Sequence, residues 1–122
     1  MAKPPSVLPP RPPVPAGQCG SLIVTLAELN RTVHEPARLA ILTVLASCES
    51  ADFTFLENAT GLTKGNLSVQ LTRLEEASLI RIEKATKRNR TITTAHIVSE
   101  GRYQLKLYWR QMEGIREAKA YP

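Results

Sequence analysis

The stretch from Leu62 to Ile80, LTKGNLSVQLTRLEEASLI, constrains this chain more than any other. Leu67, Leu71 and Leu74 recur at i, i+4 and i+7, the spacing of one buried helical stripe. Thr63 stands where an N-cap is expected, just before that periodic run. The opposite face carries Lys64, Gly65, Asn66, Ser68, Gln70 and Arg73. A face that only meets water is normally richer in Glu and Lys, and a glycine in a helix costs about 1 kcal/mol relative to alanine. The stripe demands a core supplied by other elements, and the polar face calls for a partner.

The flanking sequence supplies the other elements. HEPARLAILTVLASCES reads as a helix with Pro36 in its first turn, where no intrahelical N–H bond is lost, and with Leu39, Ile41, Leu42 and Leu45 facing a core. ADFTFLENATG reads as a shorter helix with Asp52 as its N-cap, Phe55, Leu56 and Ala59 turned inward, and Gly61 in the left-handed position that ends it. Two helices joined by about four residues containing a glycine form a helix-turn-helix arrangement. LIRIEK and RTITTAHIV are β-branched and partly alternating, with the polar ATKRNR between them, and predict a two-stranded hairpin. The last element, SEGRYQLKLYWRQMEGIREAKA, has Tyr103, Leu107, Tyr108, Met112 and Ile115 at helical spacing.

Charge is concentrated rather than spread. The 122-residue chain carries a net +5, and the window from Ile80 to Ala95 alone holds five cations against one acid. Lys84 on the incoming strand and Lys87, Arg88 and Arg90 at the tip suit phosphates or an adjacent minor groove. At the head of the polar-faced helix, Thr63 and the free N–H groups of the first turn can hold a phosphate. Lys64 can reach phosphate or guanine. Asn66 and Gln70 can pair with adenine, Ser68 can serve several bases, and Gly65 lets the first turn approach closely.

HEPARLAILTVL, TGLTKGNLSVQLTRLEEASLIRIEK and TTAHIVSEGR together resemble the winged-helix transcriptional regulators of the MarR and ArsR type, above all their short single-domain members. The resemblance spans roughly residues 22–112 and is strongest over 60–84. It implies a mainly α fold with a small β-hairpin, a winged helix-turn-helix that binds duplex DNA as a homodimer through a major-groove helix. By the family pattern, Lys64, Asn66, Ser68 and Gln70 match base- and phosphate-contacting positions, and Gln70 stands where arsenic-repressor-like proteins often carry histidine. Two positions depart from that pattern. Ser78 replaces the usual glycine at a helix end, where a non-glycine costs roughly 1 kcal/mol. Val98 replaces a threonine before the last helix, leaving Ser99 to cap it instead and shift its start by one residue.

Domain limits and partners follow. Seven of the nine prolines lie in residues 1–20, which are expected to form a disordered or polyproline tail. The domain should run over residues 21–118, with 119–122 as a short tail. A helix over Ser21–Asn30, with Leu22, Ile23, Leu26 and Leu29 at helical spacing, is apolar on most sides. With Tyr103, Leu107, Tyr108, Met112 and Ile115 of the last helix it is expected to form a subunit interface. An effector crevice between the terminal helices and the DNA-binding lobe is compatible with such a dimer, but no residue names a ligand.

Other chemistries find little support. Cys19 and Cys48 make no disulfide framework, and Cys48 is expected to be a buried small hydrophobe. His34 is expected at the surface or in a cap, and His96 on a strand. Neither has cysteine or carboxylate neighbours at ligand spacing, and there is no phosphate loop after a strand or paired-carboxylate motif. No cofactor, metal or enzymatic activity is therefore expected. No segment approaches the roughly 18 apolar residues of a membrane span, and the prolines break any secretory leader, so a cytoplasmic location is expected. The expected role is a sequence-specific DNA-binding regulator, a repressor. The alternative is a winged-helix module that binds another protein and uses its basic wing only for solubility.

Overall fold

In the computed structural model, residues 27–117 are described. Helix α1 (Pro36–Cys48) leads into strand β1 (Ser50–Asp52), helix α2 (Phe53–Thr60) and helix α3 (Lys64–Glu76). Strands β2 (Ile80–Lys87) and β3 (Arg90–Ile97) form the hairpin, and helix α4 (Ser99–Glu117) closes the order. Leu22, Ile23 and Leu26, expected in an N-terminal interface helix, lie outside the described residues, as do residues 1–20 and 119–122.

Each boundary has a local cause. Pro36 opens α1, and the Glu35 side chain accepts a hydrogen bond from the Arg38 backbone N–H at 2.8 Å. Asp52 caps α2 by accepting from the Phe55 N–H, and Thr63 caps α3 by accepting from the Asn66 N–H. Gly61 ends α2 at φ 76°, the left-handed region that glycine enters without a Cβ penalty. At the end of α3 the Leu79 N–H donates to the Leu74 carbonyl and the Ser78 N–H to that of Glu75. This is the paired-bond Schellman ending, whose left-handed position falls on Ser78 at φ 65°. The expected strain at Ser78 is therefore present in the backbone.

The core gathers one stripe from each helix. Ile41, Leu42 and Leu45 of α1, Leu56 of α2, and Leu67 and Leu74 of α3 are fully buried, and Leu71 nearly so. Burying each such side chain contributes about 1.5–3 kcal/mol relative to exposure. Leu105 and Tyr108 of α4, Leu79, Ile80 and Ala95 complete the cluster. The start of α4 seats directly on the loop before β2. A Cβ on Gly101 would come within 2.1 Å of the Leu79 carbonyl oxygen, so only glycine fits there.

Several sequence expectations need correction. The sheet has three strands, in the order β1-β3-β2, because Ser50, Ala51 and Asp52 pair antiparallel with His96, Ala95 and Thr94. In α2 the inward face is Phe53, Leu56, Glu57 and Thr60, while Phe55 and Ala59 are exposed. Cys48 is exposed at the end of α1 rather than buried. Leu29 and Tyr108, assigned to a subunit interface, are 7% and 3% exposed within the single chain and belong to its own core. The Tyr108 hydroxyl also lies 2.8 Å from Nδ1 of His34, which is itself at the surface.

Candidate nucleic-acid interface

The turn over Gly61, Leu62 and Thr63 sets α3 against α2 with the Leu67–Leu71–Leu74 stripe buried. The rest of α3 is therefore presented to solvent: Lys64, Gly65, Asn66, Ser68 and Arg73 are exposed, and Gln70 is half-buried. Among the described residues no neighbouring element comes within 4 Å of a Cβ placed on Gly65, and its φ is not positive, so neither packing between them nor backbone conformation requires glycine. Lys64 leans back on α2, where its Nζ meets the Glu57 carboxylate at 2.9 Å. With the lysine side chain 75% exposed, that pair is a weak surface tether that an incoming phosphate can replace.

Two residues of the exposed face, Asn66 and Gln70, interact with each other and with Arg38 of α1. Arg38 donates from Nη1 to Gln70 Oε1 at 2.7 Å, and Gln70 donates from Nε2 to Asn66 Oδ1 at 2.9 Å. Arg38 is held in turn by its Nε–H bond to the Thr32 carbonyl at 2.6 Å. Two further exposed residues lie on this face, the apolar Val69 and the polar Thr72. Val69, 48% exposed, sits opposite the leucine stripe, and Thr72 lies beside it. Both positions are readable from the helical period, but a search for polar groups passes over Val69. Arg38 has no such signal, since it stands 32 residues from Gln70.

The hairpin projects past the core. In β2 only Ile80 is buried and Ile82 half-buried, and everything from Glu83 to Lys87 is exposed. Arg88 (φ 51°) and Asn89 (φ 63°) form the two-residue turn, whose left-handed pair matches the twist of the flanking strands. The register places Lys87 directly across from Arg90, and Lys84 across from Thr93 on the opposite face. Like charges directly opposite one another are destabilising in an isolated sheet. None of the four cations Lys84, Lys87, Arg88 and Arg90 has an acidic partner; the ion pairs among the described residues lie elsewhere. Glu75, at the end of α3, accepts from the Ile82 N–H at 3.1 Å and so fixes the base of the hairpin to that helix. One rigid unit thus offers an exposed helix face and, beside it, an unneutralised basic arm.

This is the arrangement of a winged helix, and residues 37–115 match the winged helix DNA-binding domain. The chain belongs to that family. The winged-helix domain is also 34% identical over 71 residues to an uncharacterized protein of Methanocaldococcus jannaschii, an overlap that covers 58% of this chain and 77% of that one. Its fold is similar to that of a transcriptional regulator homologue from Pyrococcus horikoshii OT3, with a TM-score of 0.71 at 24% identity, over 77% of this chain and 95% of that one. It is also similar to AbsC, a MarR family transcriptional regulator from Streptomyces coelicolor, with a TM-score of 0.57 at 23% identity, over 80% and 71% of the two chains. These two likenesses show a shared fold. No helix among the described residues is long and apolar enough to cross a membrane.

Proposed function

We propose that this winged-helix protein is a transcriptional regulator that binds duplex DNA sequence-specifically as a homodimer, and that it acts as a repressor. The observation that carries the reading is the pairing of an exposed helix face, free of acids from Lys64 to Arg73, with a hairpin whose four cations lack acidic partners. In this reading α3 enters the major groove N-terminus first, and Thr63, Lys64, Asn66, Ser68, Gln70 and Arg73 meet phosphates and base edges. Gly65 leaves its first turn open to close approach. Val69 offers an apolar contact to a thymine methyl group. Lys84, Lys87, Arg88 and Arg90 bind the flanking phosphates or minor groove.

The dimer reading rests on α4. Tyr103, Leu107, Met112 and Ile115 are only half-buried, and Trp109 is 49% exposed against the edge of Tyr108, so the helix keeps an apolar surface that its own subunit does not cover. A twofold pair would place two α3 helices on half-sites about one DNA turn apart. Sedimentation of the free protein and of its complex with a selected duplex tests this. Two chains per duplex are expected, whereas one chain per duplex at saturation would overturn the dimer.

A further inference from the structure

The Arg38–Gln70–Asn66 chain of hydrogen bonds has a direction, and that direction is set from outside the recognition helix. A guanidinium can only donate. The atom of Gln70 that faces Arg38 must therefore be its carbonyl oxygen, which turns the amide nitrogen toward Asn66. Asn66 must then present its own oxygen to Gln70, which leaves both hydrogens of its amide nitrogen free. Without Arg38 the Asn66–Gln70 pair could form with either polarity, since each amide holds a donor and an acceptor. Arg38 itself is fixed by its bond to the Thr32 carbonyl.

This polarity matters for what a base can meet. Reading adenine bidentately requires one amide to turn both its oxygen and its nitrogen to the base, because adenine offers one acceptor and one donor in the major groove. Gln70 directs its oxygen inward to Arg38, and Asn66 directs its oxygen along the helix to Gln70. Each could face adenine in that way only through the second lone pair of an oxygen already engaged in the chain, which disfavours that pose. The hydrogens left over are two on Asn66 and one on Gln70, against one spare lone pair on each oxygen. Guanine, with two adjacent acceptors at N7 and O6, matches a donor-rich edge.

We infer that Arg38, on α1, is a specificity-determining positioning residue: by holding the Gln70 oxygen it makes the Asn66–Gln70 pair a donor-rich edge that selects guanine over adenine. This inference rests on the proposed reading of DNA by α3, and its test separates the two. Duplexes would be selected from a random pool with the full-length protein, and the position in question is the one whose enrichment Asn66→Ala erases. Duplexes with G or A at that position would then be compared in titrations with unmodified protein, Arg38→Met and Gln70→Glu. The ratio of the two affinities within one variant is insensitive to its folded fraction.

The unmodified protein should prefer guanine by about tenfold or more. Arg38→Met should bring the ratio to within about threefold of unity, because the amides are then free to turn. Gln70→Glu keeps an acceptor for Arg38 but can no longer donate, so Asn66 must reverse and show its oxygen. That variant should favour adenine over guanine. Selection of adenine by the unmodified protein, or a ratio unmoved by Arg38→Met, would overturn the inference while leaving DNA binding intact. So would Asn66→Ala erasing no enrichment. Absence of any duplex binding at low salt would overturn both.

Discussion

Replacing Arg88 and Arg90 together by alanine isolates the electrostatic part of the proposed interface. Both residues are exposed, at or beside the hairpin turn, and neither has an acidic partner, so the fold should not notice their loss. Removing Arg90 even relieves the like-charge pairing with Lys87. Each phosphate neutralised on B-DNA contributes about 0.9 to the slope of log affinity against log salt concentration. Two arginines per subunit, doubled in a dimer, should make that slope shallower by about 3.6. Raising salt roughly fourfold should then weaken the unmodified protein about 150-fold more than the variant, since 3.6 times the logarithm of four is about 2.2. Fluorescence anisotropy of a labelled duplex over a salt series measures both slopes, with a thermal melt as the control for folding. The loss should be uniform across duplex sequences, because phosphate contacts carry no base information. If the two slopes coincide, the arginines do not touch phosphates and the wing is only a solubilising loop.

Two further predictions concern stability. Ser78→Gly should stabilise the domain by about 0.5–1 kcal/mol, as it relieves a side chain held at φ 65°; urea denaturation reads this, and a loss of stability would contradict it. Gly101→Ala should destabilise by about 2 kcal/mol or more, because its Cβ meets the Leu79 carbonyl at 2.1 Å. A melt within a degree of the unmodified protein would show that α4 can shift off the sheet at little cost.

The stripe, the caps and the hairpin were legible in the sequence because each rests on neighbours in the chain. Leu67, Leu71 and Leu74 announce a buried face by spacing alone, and Asp52, Gly61 and Thr63 mark their helix ends by side-chain chemistry. Strand β1 was not legible: three residues are too few to alternate, and their pairing with β3 lies more than forty positions away. The face of α2 was misjudged because two helical turns fit both a Phe55–Leu56–Ala59 set and the Phe53–Leu56–Thr60 set that packs. Tyr108 looked free for a partner because spacing shows which residues share a face, and not how deeply the subunit's own core reaches. On the candidate interface, the polar residues of α3 and the cations of the wing were found by type. Val69 was missed because it is apolar, and Arg38 because its bond to Gln70 exists only once α1 and α3 are packed.

The central claim, that α3 reads base sequence while the wing holds phosphate, is tested most directly by selecting bound duplexes from a random pool at two salt concentrations. We expect enrichment of an inverted repeat whose half-sites lie about 10–10.5 base pairs apart, one helical turn. We also expect Val69→Ala and Asn66→Ala each to alter the preferred bases within a half-site. A pool that binds at low salt but yields no enriched sequence, with these variants indistinguishable from the unmodified protein, would contradict it.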